Sequence, residues 1–107
     1  MKTFKDIKFF PHKMGDGYMG RLTIENGLTL SVVAGSYFYC SPKADLIAAD
    51  KYESYEIGIF DENDDWTTMD VLGNIGDDVL GWQSKEEIDS IIEKMYNHKP
   101  KKKEKSI

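Results

Sequence analysis

An α+β fold, built as an antiparallel sheet of four to six strands with a C-terminal amphipathic helix packed on one face, follows from three observations. First, residues 18–25 (YMGRLTIE) and 28–35 (LTLSVVAG) alternate in hydrophobicity around Asn26-Gly27. That dipeptide suits a type I′ hairpin turn, whose two central residues need positive φ. Second, residues 54–60 (SYEIGIF) alternate again, the two-residue period of a half-buried strand. Third, Ser84 and Glu87 are spaced as a capping box, and Ile88, Ile91, Ile92 and Met95 follow at i, i+3, i+4, i+7. One helical stripe of this kind must be buried against another element.

Taken in chain order, residues 5–10 (KDIKFF) predict a short strand closed by Pro11, and 14–17 (MGDG) a turn. In the hairpin, Tyr18, Leu22 and Ile24 share one face, as do Leu28, Leu30 and Val32. Residues 36–42 (SYFYCSP) are dense in aromatics and suit an edge or bent strand. Ser41 followed by Pro42 is a favoured helix start, so 43–51 reads as a short helix or an ordered loop. In the third run Tyr55, Ile57 and Ile59 oppose Glu56, Gly58 and Phe60. Residues 61–65 (DENDD) make a polar turn leading to a strand over 66–72 (WTTMDVL). Residues 78–82 form a short strand or turn, and Trp82 is expected in the core, locking the helix entry. The domain spans 1–97. The remainder, 98–107 (HKPKKKEKSI), has the composition of a disordered lysine-rich tail.

Composition narrows the function. The chain has 107 residues, 40% hydrophobic and 31% charged, as expected for one globular domain. No apolar run reaches membrane-spanning length. The N-terminus lacks an apolar signal core, and the single cysteine fits a reducing compartment, so a cytoplasmic location is expected. The net charge of -5 hides an uneven layout. Residues 50–93 carry fourteen acids against Lys51 and Lys85, whereas 94–107 carry six lysines and one acid. A folded body so acidic repels nucleic acid, leaving the lysine tail as the only segment suited to touch it.

The motifs for chemistry fail at their demanding positions. Asp61-x-Asn63-x-Asp65 opens like a calcium loop, but Trp66 stands where that loop needs glycine and Leu72 where it needs glutamate. One cysteine and two distant histidines, Cys40, His12 and His98, give no zinc spacing. Neither metal nor cofactor is implied. Asp77 and Asp78 are adjacent, so on a strand they would point to opposite faces rather than share a site. Cys40 reads as a small hydrophobe, and the sequence predicts a non-enzyme.

What remains is a charged, aromatic surface. Asp61, Glu62, Asp64, Asp65, Asp70, Asp77 and Asp78 would supply a negative field, with Trp66 and Tyr52 as aromatic anchors for a basic protein partner. The aromatics of 37–55 can equally be core. A second possibility is a small-ligand module, alone or as a homo-oligomer, capturing a nucleotide or signalling molecule and built on Lys8, Lys13, Arg21, Lys43 and the tyrosines.

The run 78-DVLGWQSKEEIDSIIEKM-95, preceded by 55-YEIGIFDENDDW-66, resembles a pattern in small accessory proteins of bacteriophages and other mobile elements, anti-CRISPR-type inhibitors among them. The resemblance implies a stoichiometric inhibitor of a host defence or nucleic-acid-handling protein, acting in the host cytoplasm. It carries over no site residues.

Overall fold

The computed structural model describes residues 1–12 and 17–99. The expected turn at 14–17 and the lysine-rich tail fall largely outside the described residues. Five strands, β1 (Lys8–Pro11), β2 (Tyr18–Thr23), β3 (Thr29–Ala34), β4 (Tyr55–Phe60) and β5 (Val79–Gln83), pair in sequence order as an antiparallel meander. A single-turn helix, α1 (Thr68–Leu72), lies between β4 and β5, and α2 (Lys85–Asn97) follows. The fold is α+β, as the sequence predicts.

Alternation along the strands creates two unlike faces. Leu22 opposes Leu30, which opposes Ile59, and Val32 opposes Ile57, all buried on one face. α2 lays Ile88, Ile91, Ile92 and Met95 into the same core. Each such buried aliphatic contributes about 1.5–3 kcal/mol relative to exposure. Tyr55 lies at the centre of an aromatic cluster, its ring 5.1 Å from Phe4 and 6.0 Å from Phe9. The helix starts as its spacing requires: the Glu87 N–H donates to Ser84 Oγ at 3.1 Å, and Glu87 Oε1 accepts from the Ser84 N–H at 3.0 Å. Among the described residues no helix is long and apolar enough to cross a membrane.

The β2–β3 hairpin forms where expected but with a different turn. The Gly27 N–H donates to the Ile24 carbonyl (3.0 Å) and the Ile24 N–H to the Leu28 carbonyl (2.9 Å). Gly27 has φ +92°, and Asn26 is not in the positive-φ region. The loop is therefore three residues, a turn followed by one left-handed residue, rather than a two-residue type I′ turn. The reason lies in Asn26, whose amide reaches the end of α2. Its Nδ2 donates to the carbonyl of Met95 at 2.8 Å, and its Oδ1 accepts from the Leu28 N–H at 3.1 Å. Asn26→Ala is expected to cost about 1–2 kcal/mol in urea unfolding, since both backbone groups lose a partner. Asn26→Asp should not rescue the loss, because it sets a carboxylate against the negative end of the helix.

Two other expectations are corrected, and one open alternative is resolved. Residues 66–72 are not a strand. Only Trp66 bridges to Phe60, after which α1 forms and closes at Gly73 (φ +90°). Thr67 Oγ1 donates to Asp70 Oδ2 at 2.9 Å, fastening that turn. Residues 43–51 are an ordered loop with one 3₁₀ turn at Ala49–Lys51 rather than a helix, and the Ser41–Pro42 peptide bond is cis. Tyrosine hydroxyls hold this loop: Tyr52 donates to the Ala44 carbonyl (2.6 Å) and accepts from the Leu46 N–H (3.0 Å), while Tyr18 donates to the Leu46 carbonyl (3.2 Å). Finally, Trp82 is 57% exposed and not in the core. From Leu80 to Gln83, β5 uses three steps where β4 uses two between Ile57 and Tyr55. The resulting bulge, with Trp82 at φ +55°, turns the indole outward. It rests instead on Tyr39, ring centroids 5.3 Å apart.

Candidate functional site

An aromatic shelf lies on the sheet face that α2 leaves open, directly after the acidic 61–65 turn in the chain. Trp66 follows the 61–65 turn and folds back over β4, where Gly58 makes room for it. A Cβ at Gly58 would collide with the indole ring. Phe60 supports the same ring, centroids 4.1 Å apart, and the Arg21 guanidinium lies 5.1 Å from the Phe60 centroid. Trp66 thus stays 46% exposed while its position is fixed. An aromatic held this way loses little conformational entropy on meeting a partner.

The turn before it is rigid for local reasons. Asp61 Oδ1 accepts from the N–H groups of Asn63 (2.8 Å) and Asp65 (3.0 Å), and the Asp61 N–H donates to the Asp65 carbonyl (2.9 Å). Asp64 takes φ +62°, a conformation that aspartate tolerates better than most residues. Asp61 is thereby a structural member of the turn. Glu62, Asp64 and Asp65 are exposed, and their carboxylates hold no hydrogen-bond or ion-pair partner among the described residues. The Glu62 side chain lies beside Gly27, so the 61–65 turn abuts the β2–β3 hairpin.

Asp70 is exposed on α1, with one oxygen engaged by Thr67. Asp77 and Asp78 lie in the loop before β5 rather than on a strand. The Asp78 N–H donates to Asp77 Oδ1 at 2.6 Å. The turn at Gly76 is closed by Asn74, whose Oδ1 accepts the Gly76 N–H at 3.1 Å. The buried hydroxyl of Thr68 donates to the Asp78 carbonyl at 2.6 Å, joining this loop to the turn that carries Trp66.

Tyr52, expected as an anchor, is only 2% exposed. Its ring packs 5.9 Å from Tyr55 and its hydroxyl is spent on the 43–51 loop, so no partner can reach it. Burial pushes the phenols of Tyr52 and Tyr55 and the Cys40 thiol above their ordinary values. Cys40 Sγ accepts the Gly35 N–H at 3.3 Å inside the core. Among the described residues no group of three His, Cys, Asp or Glu is placed to hold a metal ion.

The cations of the second sequence reading are placed separately. Lys43 lies 5.7 Å from the Tyr39 ring centroid, Lys13 is outside the described residues, and Lys8 pairs with Arg21 across β1 and β2. Sequence reasoning missed Gly58, Phe60 and Arg21 as parts of the shelf. No local pattern points to them, because strand register alone makes them neighbours of Trp66. The chain matches no family model, no curated protein and no solved structure.

Proposed function

We propose that this chain is a non-enzymatic protein-binding module that docks a basic partner on the acidic rim around Trp66. One observation carries the reading. None of the carboxylates at 61, 62, 64, 65, 70, 77 and 78 forms an ion pair with a described residue, and the one ion pair among described residues is Lys2–Glu25, at 3.6 Å. Carboxylates beside a fixed, half-exposed indole suit a partner's lysines and arginines, with the ring supplying buried area and the charges steering encounter. The resemblance to phage accessory proteins extends the proposal to an inhibitor of a host defence or nucleic-acid-handling protein, acting in the host cytoplasm.

The test uses acids that do not hold the fold. Asp61, Asp70 and Asp77 are left in place because their oxygens fasten turns, and Glu62, Asp65 and Asp78 are changed together to lysine. The immobilised wild-type chain is expected to capture a basic bacterial protein at low salt and to release it as salt rises. The triple variant should lose that capture, with its melting temperature within about 2 °C of wild type, since surface substitutions cost little. Capture by the variant at wild-type level would refute the proposal.

A further inference from the structure

At the β1 edge of the open sheet face, Asp6, Lys8, Phe10, Pro11, Met19 and Arg21 line a groove of about 520 Å³. Register sets Lys8 directly opposite Arg21, and Phe10 directly opposite Met19. Strand alternation sends these four side chains to the open face, while Ile7 and Phe9 turn to the core. Like charges directly opposite each other in an antiparallel pair are destabilising. Yet neither Lys8 nor Arg21 forms an ion pair or side-chain hydrogen bond with any described residue. In a chain with excess carboxylates, two facing cations have no ion-pair partner among the described residues.

The groove also states what kind of anion would complete it. Asp6 lines the same groove without pairing with either cation, its Oδ2 accepting the Thr3 N–H at 2.8 Å, so the lining carries two positive charges and one negative. The net single positive charge matches a monoanion, and a dianionic phosphate would be under-compensated and repelled by Asp6. Beside the charges, Phe10 is 61% exposed and, with Pro11 and Met19, forms an apolar wall. The volume falls within the range of about 300–1,000 Å³ that small-ligand sites occupy.

We propose that this groove binds a small monocarboxylate with an apolar body, its carboxylate seated between Lys8 and Arg21 and its hydrocarbon along Phe10, Pro11 and Met19. A guanidinium can take a carboxylate through two parallel hydrogen bonds, which places Arg21 as the main determinant of head-group choice. Arg21 also lies against Phe60 beneath Trp66, so the groove adjoins the shelf, but none of the rim carboxylates lines it.

The test is a titration of the isotope-labelled full chain, followed by amide chemical shifts, with octanoate below its micellar range. Octanol, acetate and octyl phosphate serve as comparison ligands. Octanoate should give saturable shifts centred on Lys8, Phe10, Met19 and Arg21. Octanol lacks the charge and acetate the body, so each should bind at least about ten-fold more weakly, and octyl phosphate should bind no tighter than octanoate. Arg21→Gln should weaken octanoate about ten-fold while leaving the remaining amide spectrum in place. Equal affinity for octanol, tighter binding of octyl phosphate, saturable shifts centred elsewhere, or octanoate binding unchanged by Arg21→Gln would each overturn the assignment.

Discussion

Above about pH 10 the domain is expected to lose stability as pH rises. The cause is three acids in one core. Cys40, Tyr52 and Tyr55 are each no more than 2% exposed, and burial raises the pKa of all three. Each is neutral when protonated, so its folded-state pKa lies above the unfolded one. At a pH between those two values the unfolded chain has released the proton and the folded chain still holds it. The stability is therefore fully present below the unfolded pKa and drains away as pH rises toward the folded one. The loss is about 1.4 kcal/mol per pH unit for each group, and only while the pH lies between that group's unfolded and folded values. Urea unfolding at stepped pH values measures the slope. Tyr55→Phe should cost about 1 kcal/mol at neutral pH, since the phenol donates to the Ala49 carbonyl at 2.6 Å. The same variant should lower the alkaline slope by about one proton. A slope unchanged in Tyr55→Phe would remove that phenol from the explanation.

How much of this molecule was readable from its sequence depends on whether a segment's structure is decided locally. Ser84, Glu87 and the isoleucine stripe specify α2 without reference to anything distant, and β2, β3 and β4 announce themselves by alternation. Residues 66–72 misled because Trp66, Thr67, Thr68 and Val71 favour strands intrinsically. The competing signal was Thr67 with Asp70 three residues on, whose side chains hydrogen-bond to each other across the first turn of α1. Trp82 could not be placed because a bulge in β5 decides its direction, and the bulge exists only in the pairing with β4. The candidate site divides the same way. Acid content and the exposure of Glu62, Asp64 and Asp65 follow from a polar turn, whereas the burial of Tyr52 depends on backbone groups of a loop that wraps around it. The facing pair of Lys8 and Arg21 is visible only once register is known.

Thr68→Val is expected to destabilise the fold by about 2–4 kcal/mol, although it changes almost nothing in shape. Thr68 is fully buried, at 0% exposure. Its Oγ1 accepts the Ile59 N–H at 2.9 Å and donates to the Asp78 carbonyl at 2.6 Å, so one hydroxyl joins β4, α1 and the loop leading into β5. Valine keeps the volume and branching, so no cavity opens and the hydrophobic contribution is preserved. What is lost is the partner of two backbone groups, and a buried group left unpaired costs about 1–3 kcal/mol. Thr68→Ser separates the two contributions, because it keeps the hydroxyl and gives up only a methyl, at an expected cost of about 1 kcal/mol. The order of stability by urea unfolding should therefore be threonine, then serine, then valine. A valine variant within about 0.5 kcal/mol of wild type would mean that water or a backbone shift replaces the hydroxyl. The consequence extends to the acidic rim, since the Thr68 hydroxyl ties the loop of Asp77 and Asp78 to the turn that presents Trp66. Loosening that tie should raise amide exchange at residues 76–79 more than in α2, whose core contacts do not pass through Thr68.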